Sequence, residues 1–204
     1  MEKGSKFLAF AYPVNAEPEC LGFLQALKKS HPKARHFCTA VRLGPDAAIE
    51  RSNDDGEPSG SAGRPILGQL KKEKLTNVLV VVVRYFGGTK LGIPGLIDAY
   101  KSSTADALSG AVIVQKTIFS VYRIQMNYTT YPSFKNLILQ NGLPLLEENF
   151  SDMVNFKIGL RKSSATLEML SILKSFSQRD FTTIEEYIQN LNITLDLLAE
   201  TYIL

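Results

Sequence analysis

The run Asn77-Val-Leu-Val-Val-Val-Val-Arg-Tyr85 limits what this chain can become more than any other segment. It is rich in β-branched residues, which suit a pleated strand. It does not alternate apolar with polar, so neither face of that strand can lie against water. Other elements must cover both sides, which points to a layered mixture of helices and sheet. Two polar, glycine-bearing stretches flank the run: the acidic Arg51–Pro65 and the basic Phe86–Gly92. A core needs no such density of polar and backbone-permissive residues, so the block reads as a site.

At 204 residues the chain has room for one large or two small domains. Its 45% hydrophobic and 21% charged composition is that of a globular protein with a sizeable core. The net charge of +3 does not demand nucleic acid or membrane as a partner. Its distribution says more: residues 1–115 hold 15 Lys and Arg against 11 Asp and Glu, while residues 116–204 hold 8 against 9. The basic excess thus lies in the half that carries the glycine-rich block, which favours an anionic partner there. Two cysteines, Cys20 and Cys38, form neither a disulfide framework nor a metal-finger spacing. The short apolar run Phe7–Tyr12 after Met1–Lys6 is not a secretory leader, and no stretch reaches the roughly 20 apolar residues of a membrane span. A soluble protein of the reducing cytoplasm is expected.

Phe7–Tyr12 predicts a strand ended by Pro13. Residues 17–30 predict a helix, with Cys20, Leu21, Phe23, Leu24 and Leu27 on its apolar face and Cys20 buried. Arg35–Leu43 predicts a strand with His36, Cys38 and Ala40 on one face and Phe37, Thr39 and Val41 on the other. Ile49–Ser52 follows as a short strand. Ser61–Glu73 predicts a helix, with Ser61 as candidate cap and Pro65 in its first turn. Pro94–Ser109 predicts a second long helix with Gly110 past its end, and Ala111–Gln115 a last short strand. After a composition shift near residue 116, strands are expected at 117–128, 143–150, 153–160 and 182–188. Helices are expected at 133–141 and 165–176, the latter with Leu167, Leu170, Leu173 and Phe176 at helical spacing. That βαββαβ order is the ferredoxin-like pattern, with 189–204 an amphipathic tail. The fold class is therefore α+β in two domains, 1–115 and 116–204.

In the basic stretch, a strand ending in Arg84 runs through Gly87, Gly88 and Lys90 into a helix. Such a turn exposes backbone N–H groups that glycine lets an anion approach, with Arg84 and Lys90 adding charge. A sharp turn that needs glycine for its geometry alone is the other reading. It is not a phosphate-binding Walker loop, because Ile93-Pro94 stands where Lys-Ser/Thr is required. In the acidic stretch, Asp54, Asp55 and Glu57 are either oxygen ligands for a hard cation such as Mg²⁺ or the scaffold of a turn. Arg64 opposes the dipole of its helix, so it pairs with one of those carboxylates or meets an anion. His36 and Cys38 share a strand face, yet a Cys–His dyad draws its members from separate elements. A buried thiol beside a hydrogen-bonded His is expected. No catalytic signature and no cofactor motif appears. Tyr85, Phe86 and Tyr100 are available to stack on bases if exposed, and are core residues if not.

Ser52–Leu67, Val80–Gly88 and Lys90–Gly92, with Ser5–Ala9 and Ala34–Ala40 upstream, resemble the signature of the YigZ/Impact family in its bacterial two-domain form. The resemblance implies a first domain like the ribosomal-protein domain 2-like fold of elongation factor G domain IV. It implies a ferredoxin-like second domain. Eukaryotic members regulate translation by competing for the activator of an amino-acid-starvation kinase, and no reaction is attached to the bacterial ones. That eukaryotic partner does not carry over to a bacterial-type chain; together, the resemblance, the basic excess and the glycine-rich turn point to a translation-linked binding protein whose partner is RNA, the ribosome or a ribosome-associated protein, with Arg64, Arg84, Gly87, Gly88 and Lys90 as contacts. The alternative is an enzyme acting on a small phosphorylated or nucleotide substrate, with Asp54, Asp55 and Glu57 holding a metal opposite Arg84 and Lys90. A protein-interaction module without a small ligand is the third possibility. The sequence departs from the family pattern at Pro94, where a glycine is usual, and at Asp98, where an arginine is usual. Both changes weaken an anion site at that helix start. Ser61 in place of threonine keeps the hydroxyl.

Overall fold

The apolar run becomes β4 (Val78–Tyr85), an inner strand of a four-stranded antiparallel sheet. The computed structural model describes residues 4–203. Met1–Lys3, part of the expectation against a leader, and Leu204, the end of the expected tail, lie outside the described residues. The chain divides into two compact units, 1–113 and 114–204. The architecture is α+β, with two sheets and six helices among the described residues. No helix there is long and apolar enough to cross a membrane.

In the first unit, β1 (Lys6–Pro13), β2 (His36–Leu43) and β3 (Ile49–Asn53) join β4 in the order β1-β4-β2-β3. Helix α1 (Glu17–Ser30) covers one face, and α2 (Gly63–Lys72) and α3 (Gly92–Ser109) cover the other. The unbroken hydrophobicity of β4 follows from this sandwich. Val80 and Val82 join Cys38, Ala40, Ile66, Leu70, Leu96 and Tyr100 on the α2/α3 side. Leu79, Val81 and Val83 join Phe37, Val41 and Leu27 on the α1 side. Burying each such aliphatic side chain contributes about 1.5–3 kcal/mol.

The second unit runs β5 (Ile118–Met126), α4 (Tyr131–Gln140), β6 (Leu145–Phe150), β7 (Val154–Arg161), α5 (Ala165–Ser177), α6 (Ile184–Leu191) and β8 (Thr194–Ile203). Its antiparallel sheet has the order β6-β7-β5-β8. The helices share one core with one sheet face, where Ile124, Phe156 and Ile158 meet Phe134, Met169, Leu173 and Tyr187.

Several expectations need correction. The segment 182–188 is not a strand, because Thr183 and Glu186 form a reciprocal capping box that starts α6. The buried Tyr187 and half-buried Ile184, Ile188 and Leu191 then pack on the core at helical spacing. The supposed tail supplies the missing strand, β8, which pairs with β5. Residues 111–115 form no strand: no ladder partner meets them, and Val112 is 92% exposed. Leu21 and Leu167 point to solvent, and Cys20 is half-buried rather than buried. Helix α3 starts at Gly92, two residues before Pro94. Ser61 caps nothing; its hydroxyl donates to the Pro58 carbonyl (2.6 Å).

Candidate functional site

The work expected of Ser61 is done by Asp54, at the end of β3. One carboxylate oxygen accepts from the N–H groups of Ala62 (3.0 Å) and Gly63 (2.8 Å), and the other from Gly60 (2.8 Å). These are donors that the start of α2 cannot satisfy within the helix. Burial pushes the Asp54 carboxyl up, but the three N–H bonds and the nearby Arg64 charge outweigh it and hold the group below its ordinary value. The helix comes this close because residue 63 is glycine: a Cβ there would lie 2.8 Å from the Asn53 nitrogen. Asp55 bridges to β2. Its carboxylate accepts from Phe37 N–H (2.7 Å), and its carbonyl lies 2.8 Å from His36 Nδ1.

Glu57 turns inward. Its Oε1 accepts from Arg84 Nη1 (2.6 Å) and from the Tyr100 hydroxyl (2.8 Å). Arg84 is only 4% exposed and lies between the rings of Phe7 and Phe86, with its carbon 5.3 Å and 5.6 Å from their centroids. Its Nη2 donates to Ser5 Oγ at 3.4 Å, and its Nε has no partner among the described residues. Ser5 Oγ also accepts from Gly87 N–H (3.2 Å). Gly87 stacks backbone on backbone against Gly4, where a Cβ would approach to 2.0 Å. Cys38 Sγ donates to the Asp54 carbonyl (3.0 Å) and lies 3.2 Å from the Tyr100 hydroxyl, so it has no dyad with His36. Burial pushes the Cys38 thiol up to about 12, which leaves it protonated at neutral pH, and burial likewise raises Tyr100.

The two polar stretches therefore meet at one end of the sheet and satisfy each other. Asp54, Asp55 and Glu57 direct their oxygens at backbone N–H groups, Tyr100 and Arg84, and no group of three His, Cys, Asp or Glu able to hold a metal occurs among the described residues. Arg84 and the Gly87 N–H are committed internally. Arg64, Gly88 and Lys90 face solvent, with Gly88 at φ +88° in open space. Pro94 stands third in α3, so it lacks one of the N–H groups that the helix start would otherwise present.

Several basic side chains remain exposed at this end of the sheet. Lys6 pairs with Tyr85 and His36 with Arg84, and Arg35 N–H donates to the Arg84 carbonyl (3.1 Å). These contacts bring the start of β1, the end of β4 and the start of β2 to the same end of the sheet. Lys28, in the last turn of α1, lies 5.7 Å from the Phe37 ring at that end. Lys6, Lys28, Lys33, Arg35, Arg64 and Lys90 are all exposed, and none of the six has an ion-pair partner among the described residues. Among the three aromatic candidates Tyr100 is fully buried, Tyr85 is half-buried and bonded to His31 (2.8 Å), and Phe86 is 46% exposed. Lys6, Lys28 and Arg35 escaped sequence reasoning because only the packing of β1, α1 and β2 brings them to the end of β4 from which the chain runs on to Lys90.

Residues 3–108 match the profile of the Impact N-terminal domain. The chain belongs to the IMPACT family. It is 38% identical to the IMPACT family member YvyE of Bacillus subtilis over 153 residues, covering 75% of this chain and 70% of that one. It is 30% identical to the IMPACT family member YigZ of Escherichia coli over 178 residues, covering 86% and 87%. A solved structure of a hypothetical protein matches 98% of this chain and 92% of its own, at 28% identity and a TM-score of 0.62. The Impact domain match spans both halves of the site, from Ser5 to Tyr100.

Proposed function

We propose that this IMPACT-family chain is a translation-linked binding protein. Its first unit grips an RNA phosphate backbone, free or within a ribosome, on the basic end of the sheet. The observation that carries this reading is a set of exposed cations with no ion-pair partner among the described residues, Lys6, Lys28 and Arg35 at that end of the sheet and Arg64 and Lys90 in the stretches that flank it, beside carboxylates whose charge is already satisfied. Phe86 adds an exposed ring on which a base can stack, the combination used by single-strand binders. The buried Glu57–Arg84 pair acts as the frame that holds the rim, and the protein makes no covalent change in its partner. The translation link rests on the family; the RNA contact rests on the rim. The second unit's order β6-β7-β5-β8 supports a ferredoxin-like name for it, and the first unit is read as the ribosomal-protein domain 2-like type. A cytoplasmic location suits such a partner.

Binding of a fluorescent single-stranded RNA to the full-length chain, titrated with salt, tests the proposal. Neutralising phosphates makes log K fall with log salt at a slope of about −0.7 per contact for single strands. Lys90→Glu and Arg35→Glu should each weaken binding and flatten that slope. Salt-insensitive binding, or none to RNA and ribosomes, would sink the proposal.

A further inference from the structure

The sheet edges of this protein are not protected alike. β3 is five residues long and carries Glu50 and Arg51, the short charged edge that discourages added strands. In the second unit β6 carries Glu147 and Glu148 with a register shift, and β8 carries Asp196 with another. β1 is different. It forms the outer edge of its sheet, is eight residues long, and keeps continuous register with β4. Between Lys6 and Pro13 it offers only uncharged residues, Phe7–Tyr12. An antiparallel strand turns alternate N–H and C=O groups away from its single neighbour, so β1 presents an unpaired row of them on its outer side.

A groove of about 480 Å³ runs beside that row, between Phe7–Phe10 and one face of α3. The α3 wall consists of Ala99, Ser102, Ser103, Asp106 and Ala107, which recur at helical spacing as one stripe. Four of them are small and leave space, and the volume falls in the range of about 300–1,000 Å³ typical of ligand pockets. Asp106 is the one charged side chain in the lining. It is exposed, and its carboxylate has no partner among the described residues.

We propose that the β1 edge and this groove form a docking site for an extended peptide segment of a partner protein. The segment adds beside β1 as a fifth strand, and a basic side chain faces Asp106. Main-chain hydrogen bonds to the open edge supply affinity, and alternate side chains entering the groove supply selectivity. The unpaired edge demands a peptide backbone, and the isolated carboxylate demands a cation on it. The cations of the basic rim do not line the groove, so this site stands or falls separately from RNA binding.

The test selects random decapeptides displayed on phage against the full-length chain and measures the enriched sequences as synthetic peptides by fluorescence anisotropy. Enrichment of proline-free, strand-forming sequences with Lys or Arg at one position is expected. Bound peptide should slow amide exchange across Phe7–Tyr12, and Asp106→Lys should weaken binding by about threefold or more. Leu8→Pro and Ala9→Pro sharpen the test, because neighbouring residues send their N–H groups to opposite sides. Whichever variant keeps the wild-type melting temperature lacks an open-edge donor and should lose the peptide. If neither folds, Ser102→Trp, which fills the groove from an exposed position, should abolish binding. The proposal is overturned by an empty selection, by protection elsewhere in the chain, or by binding indifferent to Asp106→Lys. A dimer formed through β1 at micromolar concentration overturns it too, since a second copy then takes the edge.

Discussion

Replacing Glu57 with Gln keeps the length of the side chain and its acceptor oxygen, and removes only the charge that faces Arg84. The two groups are 2.6 Å apart, and their side chains are 4% and 5% exposed. Among the described residues no second carboxylate lies within ion-pair distance of Arg84. Ser5 is 3.4 Å from Nη2, Nε has no partner among the described residues, and the flanking surfaces are the rings of Phe7 and Phe86. Breaking a buried pair from one side costs about 3–5 kcal/mol, because an uncompensated charge is left in a poor solvent. For a unit of roughly this size that loss corresponds to a fall in Tm on the order of 10 °C or more. Thermal melting of the full-length chain by circular dichroism reads the loss, and amide exchange in β4 and α3 locates it. Glu57→Gln combined with Arg84→Met removes both charges, so it should be less destabilised than the sum of the single variants by about 2 kcal/mol. A loss below about 1 kcal/mol for Glu57→Gln, or strict additivity in the double variant, would refute the claim that the pair is a buried frame.

Asp54 gives a pH prediction. Its folded pKa lies below its unfolded value of about 3.9, so its contribution is fully present above that pH and disappears as pH falls through the folded pKa. Asp54→Asn should therefore lower stability at pH 7 by about 1–2 kcal/mol, and the gap to wild type should close below pH 4 in urea titrations at a series of pH values. Iodoacetamide at pH 7.5 should alkylate the half-buried Cys20 first, with Cys38 reacting only in denaturant, as mass spectrometry of timed digests would reveal. Gly87→Ala drives a Cβ into the Gly4 backbone and should destabilise the first unit by about 1–3 kcal/mol in melting experiments. Thr183→Ala deletes one half of the capping box and should cost the second unit about 1 kcal/mol, read from its urea midpoint.

Much of the first unit was legible in sequence because its signals are local. The continuous apolar run fixed β4 as a two-sided strand, and Glu17–Ser30 emerged at the expected bounds because its apolar spacing and terminal charges agree. The failures in the second unit share a cause. Thr182-Thr183-Ile184 looks like strand by β-branching, yet Thr183 and Glu186 satisfy each other's backbone and outweigh that weak preference. Misassigning that one turn then displaced the last strand into a supposed tail, where β8 pairs with β5.

The site divides along the same line. By itself the sequence determined which residue types are present: the family signature, the paired acidic and basic stretches, the glycines that permit close backbone contact, and the aromatics beside them. The tertiary structure decided which of their charges remain available. It turned Glu57 and Arg84 into each other's counter-ions and made Asp54 the cap of a helix that begins nine residues later. It also brought Lys6 and Arg35, exposed and far apart in the chain, to the end of β4 that leads into the glycine-rich turn and Lys90. The physical reason is that a side chain's charge belongs to the sequence, while its desolvation and its partners exist only once strands distant in the chain come into register.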